Sequence, residues 1–525
     1  MNRKTLVLPA LAGVMTTVLT ACGTQPGARA DGDTLVVGTT DSFEVSASTP
    51  APFDPAAVYD TATWNVFRST FQTLLRLPRS GTLPEPEAAE KCGFTDTRNT
   101  HYRCTLREGL TFSNGRDLTA AEVVHSIRRV LTISDSHGPA ALLSNIKAIE
   151  TTPGNAVLFS LKKPDATFPH KLATPAAAIV DPEEYPADAL REGTEITGSG
   201  PYVVDEVKDG RIRLSANPRY QGGLKPRTKS VELRGYPDAD QLEQALTRGE
   251  IDLVTRTLAP DQIERLRERD DIDLQETTSQ SIRYLVFNTD APSARTKAVR
   301  QAVAQLVDRQ ALVRDVYLRT AEPLHSIVPG GLPGHRAAFH TRYGEPDAKA
   351  ARRLLDEAGV DTPVKLTLSH TSDYYGPATR DEFKALAAQL NRSGLFRVSV
   401  TSAPWKEFRK AAVDGEYQVF GMGWSPDFPD ADNFVDPFFG EDNFLDSPYR
   451  NAEITDRLIP RTRAAAERDQ AERQFVRIQE IVADEVPVLP LWQGKSHVAA
   501  RSGVTGVEWA LNSSSVLQLW ELGRG

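Results

Sequence analysis

From Ser281 to Gly415 strand-like and helix-like segments alternate, and this pattern limits the possible folds more than any other feature of the chain. SIRYLVFNT (from Ser281) reads as an apolar strand, and Thr296 to about Val307 carries helical spacing. DAKAARRLLDEAG is a second helix, stopped at Gly359. VKLTLSH, RDEFKALAAQLNRSG, FRVSVTS and PWKEFRKAAVDG then read strand, helix, strand, helix. A long helix over 463–484 and the apolar strand VPVLPLW complete the series. Such alternation calls for an α/β fold, a sheet flanked by helices. At 525 residues the chain is too long for one hydrophobic core, so two or three domains are expected.

The first half is richer in strands. TLVVGTT (from Thr34) is a strand, and WNVFRSTFQTLLRL (from Trp64) reads as a helix with Val66, Phe67, Leu74 and Leu75 in the core. Asn114-Gly115 marks a turn, and Thr119 with Glu122 forms a capping box before a helix burying Val123, Ile127 and Val130. Asp209-Gly210 is the turn of a hairpin that ends at Pro218. The helix DADQLEQALTR stops at Gly249, ahead of the strand EIDLV. The terminal VEWALNSSSVLQLWEL is strand-like and is expected to return to the first lobe.

The N-terminus has a basic Arg3-Lys4, an apolar stretch from Thr5 to Val18, and then Leu19-Thr20-Ala21-Cys22. The apolar stretch is short for a membrane span and reads as a signal peptide over 1–21. A small residue before Cys22 resembles the bacterial lipobox, which implies cleavage before Cys22 and lipidation of its thiol. Residues 22–33, small and polar, suit a flexible tether. The alternative is an ordinary secretion signal. The expected location is therefore the extracytoplasmic face of the cell membrane, with lipid as the sole membrane contact.

Of three cysteines, lipidation of Cys22 leaves Cys92 and Cys104. They flank a polar, turn-prone segment, so a cross-strand disulfide or two free thiols are the readings. A disulfide closing so short a loop would contribute roughly 3 kcal/mol. Two cysteines are too few for a structural zinc site.

Formal net charge is −9, and without residues 1–21 it is −11. Such a chain makes a poor nucleic-acid binder, because phosphate contacts need clustered Lys and Arg. The nine histidines are scattered, with no HExxH motif and no GxSxG elbow. Gly494-Lys495-Ser496 ends like a P-loop, but Leu489 stands where the first glycine belongs. No enzymatic activity, cofactor or metal site is expected.

LREGLTFSNGRDLTAAEVVHSIRR (Leu106 to Arg129) is similar to the signature of the family 5 extracellular solute-binding proteins, the peptide-binding components of ABC importers. Gly198-Ser199-Gly200-Pro201-Tyr202, Asn217-Pro218-Arg219-Tyr220, ALTRGEID, YLVFNT, DAKAARRLLDEAGV and VPVLPLW follow in that family's order. Each match is weak alone, and the ordered set is specific. The resemblance implies a periplasmic-binding-protein type II fold of the large class, with an extra subdomain in its first lobe. That lobe would take 34–279 (subdomain about 63–185), completed by 491–525, and the second lobe 280–490. A monomer that captures oligopeptides for an ABC permease is the implied role.

In peptide-binding members a Gly-Trp pair is followed, three residues after the Trp, by an Asp that pairs with the peptide α-ammonium. Gly423, Trp424 and Asp427 match that pattern. The alternative is that Asp427 caps a turn in a Pro/Asp-rich loop. Trp424 and Trp405 match aromatic positions that line side-chain pockets. Dipeptide-specific members carry an Arg near the position of Asp373, and its absence implies longer peptides or a ligand with a positive group there. His370, Tyr374 and Tyr375 are the other polar or stacking candidates in that loop, and Arg380 lies at the following helix start. The same fold serves nickel chelates and oligosaccharides, and a signalling lipoprotein is a further alternative.

Overall fold

The computed structural model describes residues 34–525 except 42, 44–49, 442, 446, 466 and 513. The signal peptide, Cys22 and the tether lie outside the described residues. Strand β1 (Thr34–Thr39) is followed by helix α1 (Thr61–Thr70), capped by the Asp60 carboxylate accepting from Thr63 N at 2.9 Å. Strands β2 (Ala89–Phe94) and β3 (His101–Leu106) form a hairpin in which Cys92 sits opposite Cys104, and the two are joined as a disulfide. Helix α2 (Ala120–Ile133) begins with the expected capping box: Glu122 accepts from Thr119 N at 2.7 Å. With β4 (Ile146–Thr152) and β5 (Ala156–Leu161) the hairpin makes a four-stranded sheet, ordered β2-β3-β5-β4.

The large sheet adds β6 (Tyr202–Lys208), β7 (Arg211–Ala216), β8 (Ser230–Gly235) and, after helix α3 (Ala239–Arg248), β9 (Leu253–Val254). Then come β10 (Ile272–Phe287), β11 (Val364–Thr371), helix α4 (Ala378–Arg392) and β12 (Phe396–Ala403). Helix α5 (Trp405–Val413), β13 (Val419–Trp424), helix α6 (Glu472–Glu485) and β14 (Val488–Arg501) complete it. Strand order is β12-β11-β13-β10-β14-β9-β1-β8-β7-β6, with Ala321–Pro323 pairing on β14.

Two large apolar cores result. One gathers residues between Leu35 and Leu253 with Val498, Ala500 and the terminal 507–522. The other gathers residues between Ile282 and Leu491. Strands β10 and β14 run between them as one antiparallel pair, and their register shifts between Thr278 and Ile282. The shift breaks the ladder where the pair passes from one core to the other.

Several motifs converge on the end of α1. Gly200 N donates to Thr70 O at 2.8 Å, which takes the helix's terminal carbonyl and stops it there. A Cβ on Gly198 would fall 2.0 Å from the same oxygen, so only glycine allows this approach. Asn217 Nδ2 donates to Gly200 O at 2.8 Å, and Ser113 N donates to Gly198 O at 2.8 Å. Leu74 and Leu75 are buried as expected, but beyond the helix rather than on it.

Two other expectations change. The helix expected over 463–484 is broken into Ile459–Ala464, a 3₁₀ turn Arg468–Ala471 and α6. The break frees Arg463 O and Ala464 O to accept from Ala166 N (2.8 Å) and Asn99 Nδ2 (3.0 Å), bonds to the first core that a continuous helix would forbid. The terminal segment does return to the first core, burying Val516, Leu517, Leu519 and Trp520, but not as a regular strand. Asn512 Oδ1 accepts from Ser514 N and Val516 N, each at 3.0 Å, and this side-chain turn competes with a ladder. Among the described residues no helix is long and apolar enough to cross a membrane.

Candidate ligand-binding site

Strand β13 ends at Trp424 and releases a loop that runs to Phe434. Asn433 clips this loop into shape. Its Oδ1 accepts from Asp427 N at 2.9 Å and from Trp424 Nε1 at 3.3 Å, and its Nδ2 donates to Asp427 Oδ2 at 3.1 Å. Further along, Asp430 forms a two-pronged pair with Arg468, both contacts 2.7 Å, and Asp432 another with Arg463 at 3.0 and 3.1 Å. Planar guanidinium forks of this kind fix orientation as well as charge.

The segment ahead of α1 meets the loop at Asp427. Tyr59 OH donates to Asp427 Oδ1 at 2.7 Å, across 368 positions of sequence. Tyr59 lies against Trp64 (ring centroids 5.1 Å), and Trp64 Nε1 donates to Val58 O at 3.0 Å. One turn along α1, the Arg68 guanidinium lies 5.4 Å from the Trp64 ring. The segment carrying Tyr59 is held from behind by a fully buried ion pair: Arg129 bonds both oxygens of Asp54, at 2.7 and 2.5 Å. Asp54 also accepts from Ala56 N at 2.8 Å, which fixes the turn entering Val58.

Asp427 is 9% exposed. Burial pushes its carboxyl above the usual range, opposed by the Tyr59 and Asn433 hydrogen bonds and by the charge of Arg68. A carboxylate has about four lone-pair sites. Tyr59 and Asn433 each occupy one, so Asp427 keeps acceptor capacity for a cation.

Gly423 precedes Trp424, and a Cβ there would come 2.9 Å from the Tyr375 ring. The Tyr375 hydroxyl points back at Gly423 O (3.4 Å), and the Arg283 guanidinium lies 4.0 Å from its ring centroid. Tyr374 is 57% exposed and stacks on Trp405, centroids 4.1 Å apart and nearly parallel. Tyr375 thus joins the Gly423–Asp427 loop to the Tyr374–Trp405 stack. Asp373 lies at the start of α5, accepting from Trp405 N at 2.8 Å and from Thr371 Oγ1 at 3.0 Å. Its exposed carboxylate sits where a helix N-terminus favours negative charge. His370 is buried against Phe383 (4.8 Å), its Nδ1 at 2.7 Å from Thr371 O. Burial lowers its pKa, so at neutral pH it is an uncharged side chain packed in the second core.

Sequence reasoning named the loop side of this constellation and missed Tyr59, Trp64, Arg68 and Asn433. Only Asn433 carried a local signal, lying six residues after Asp427 in a loop already singled out. Tyr59 and Arg68 reach the site only through the packing of the two cores.

The family model for bacterial extracellular solute-binding proteins, family 5, matches residues 84–446. The chain belongs to this family. It is 27% identical over 489 residues to the probable D,D-dipeptide-binding periplasmic protein of Escherichia coli (strain K12), covering 90% of this chain and 91% of that protein. It is 26% identical to di/tripeptide-binding protein 1 of Pseudomonas aeruginosa (strain UCBPP-PA14), covering 85% and 87%. The fold matches the ABC transporter-associated periplasmic binding protein of Helicobacter pylori in complex with the peptide STSA, with TM-score 0.78, 22% identity and 94% of this chain against 98% of that one.

Proposed function

We propose that this solute-binding protein is an extracytoplasmic lipoprotein, anchored through Cys22, that captures peptides by their free α-ammonium and delivers them to an ABC permease. The observation that carries the reading is Asp427: a buried carboxylate with spare acceptor capacity, where Tyr59 from the segment ahead of α1 meets the Trp424 loop. An ammonium there would make a charge-assisted bond worth about 1.5–3 kcal/mol. A ligand without the amine would leave the carboxylate unpaired, which is how the site would select. The names of the two peptide-binding relatives agree with this ligand class.

The two cores act as two lobes, 34–279 with 491–525 and 280–490, and the register shift in the β10–β14 pair is where they would hinge. Trp424, Trp405 and Tyr374 offer aromatic surface to ligand side chains. The peptide backbone itself would be held largely by main-chain bonds, as an added strand. The protein acts as a monomer on the membrane surface, without catalysis.

Mass spectrometry of ligands released from protein purified without refolding tests this directly. Peptides with free N-termini are expected, and a nickel chelate or a sugar would overturn the reading. For the anchor, Cys22→Ser should release the protein from membranes; continued membrane association would remove Cys22 from that role.

A further inference from the structure

The strand run SIRYLVF carries one charged residue, Arg283, and that residue is 2% exposed. Burying a guanidinium is costly unless its partners are well placed, and apolar residues of similar volume often serve stability as well. Its polar partners lie on α4: the guanidinium is 3.4 Å from Glu382 Oε2 and donates to Thr379 Oγ1 at 3.1 Å. Glu382, fully buried, also accepts from Tyr317 OH at 3.0 Å and from Trp492 Nε1 at 2.9 Å.

The β10–β14 ladder aims these groups. Arg283 stands opposite Trp492 and Tyr284 opposite Pro490, so Leu491 is an extra residue on β14. A bulge of this kind re-aims side chains, and here Arg283 and Trp492 both meet Glu382. The face of the guanidinium covers Tyr375, with Cζ 4.0 Å from the ring centroid. Tyr375 is the one part-buried residue in the exposed segment 372–377. Asp373 ties that segment to the start of α5, and the Tyr375 hydroxyl ties it to β13 through Gly423 O at 3.4 Å. The Tyr375 ring also sets the neighbouring rings, with centroids 4.9 Å from Tyr374 and 5.7 Å from Trp405.

We infer that Arg283 is a positioning residue for a side-chain subsite: stacked on Tyr375, it fixes the Tyr374–Trp405 pair beside Gly423, where the outer face of Tyr374 takes an aromatic side chain of the bound peptide. The inference rests on the peptide reading above and adds a side-chain class and the residue that sets it. Tyr374 is 57% exposed and lies parallel to Trp405 on its inner side, so its outer face is open to continue the stack. A planar, weakly hydrated guanidinium holds a ring in a way that a compact ammonium does not. Burial strengthens that contact, because water does not compete for the cation. Arg283 is itself covered and acts only through Tyr375.

The test is isothermal titration of the full mature protein with trialanine and with Ala-Phe-Ala. It uses wild type, Arg283→Lys and the double variant Arg283→Met/Glu382→Gln. Lysine keeps the charge beside Glu382 but loses the planar face, whereas the double variant removes both charges and leaves no unpaired acid inside. The wild type should bind Ala-Phe-Ala at least tenfold tighter than trialanine. Both variants should bind trialanine within about twofold of wild type, which shows that they are folded, while their preference for Ala-Phe-Ala falls to about threefold or less. A loss of stability alone would weaken both peptides together, so the ratio separates positioning from support. Equal wild-type affinity for the two peptides would overturn the inference and leave the peptide reading standing, as would a tenfold preference surviving in Arg283→Lys. A wild type that binds neither peptide and releases a non-peptide ligand would overturn both.

Discussion

The loop from Trp424 to Phe434 and the helix α1 bring charge to the same place in opposite ways. Along the loop, Asp430 and Asp432 are each matched by an arginine fork, and even Asp427 is oriented by Asn433 and Tyr59. On α1, Arg68 forms no ion pair among the described residues: it lies against the Trp64 ring, and its charge reaches Asp427 without contact. Paired charges fix the shape of a site, because both partners lose freedom to each other. A part-buried arginine with no such partner adds little to that shape.

The largest effect should separate these two kinds of arginine. Arg129→Met leaves Asp54 ionised and buried without its partner, and should cost about 3–5 kcal/mol of stability by chemical denaturation. Arg68→Gln breaks no pair and should cost under about 1 kcal/mol in the same experiment. Comparable losses in the two would erase the distinction.

Asp427→Asn comes next. It keeps the shape of the side chain and removes its charge, so affinity for a free-amine peptide should fall roughly 10–100-fold, matching the strength of one charge-assisted bond. A pH titration sharpens the point. Because burial raises the folded-state pKa of Asp427, the carboxyl holds its proton at higher pH than in the unfolded chain. Peptide affinity should therefore fall as pH drops through that raised value. The stability of the unliganded protein moves the other way: this group's contribution is full below its unfolded pKa and is lost as pH rises through the folded one. Both dependences should vanish in Asp427→Asn, and their persistence would assign them to another group.

Smaller effects test the supports. Asn433→Ala removes three hydrogen bonds that set the loop and should weaken peptide binding about fivefold to tenfold, since a misplaced carboxylate keeps its charge but loses its geometry. Tyr59→Phe deletes one bond to Asp427 and should change affinity only about threefold to fivefold, near 1 kcal/mol. An effect of Tyr59→Phe as large as that of Asp427→Asn would make the hydroxyl, not the carboxylate, the group that meets ligand.

Much of this was legible in the residues. The helix–strand alternation from Ser281 onward announced the second core, and Thr119 with Glu122 announced α2, because periodicity and capping act within a few residues. Gly423, Trp424 and Asp427 were named because the ordered motifs placed them. What was not legible depends on distance in sequence. The end of α1 is set by Gly200, about 130 positions away, and the break in the 463–484 helix by Asn99 and Ala166. Tyr59, which meets Asp427 from the segment ahead of α1, has no sequence pattern that separates it from ordinary turn residues. Its meaning comes from what it faces.

The most direct test of the account compares an ordinary short peptide with its N-acetylated form by isothermal titration, in wild type and in Asp427→Asn. The account predicts that acetylation, which removes the ammonium, weakens wild-type binding at least tenfold and matters little once Asp427 has lost its charge. Equal wild-type affinity for the free and acetylated peptides would contradict it.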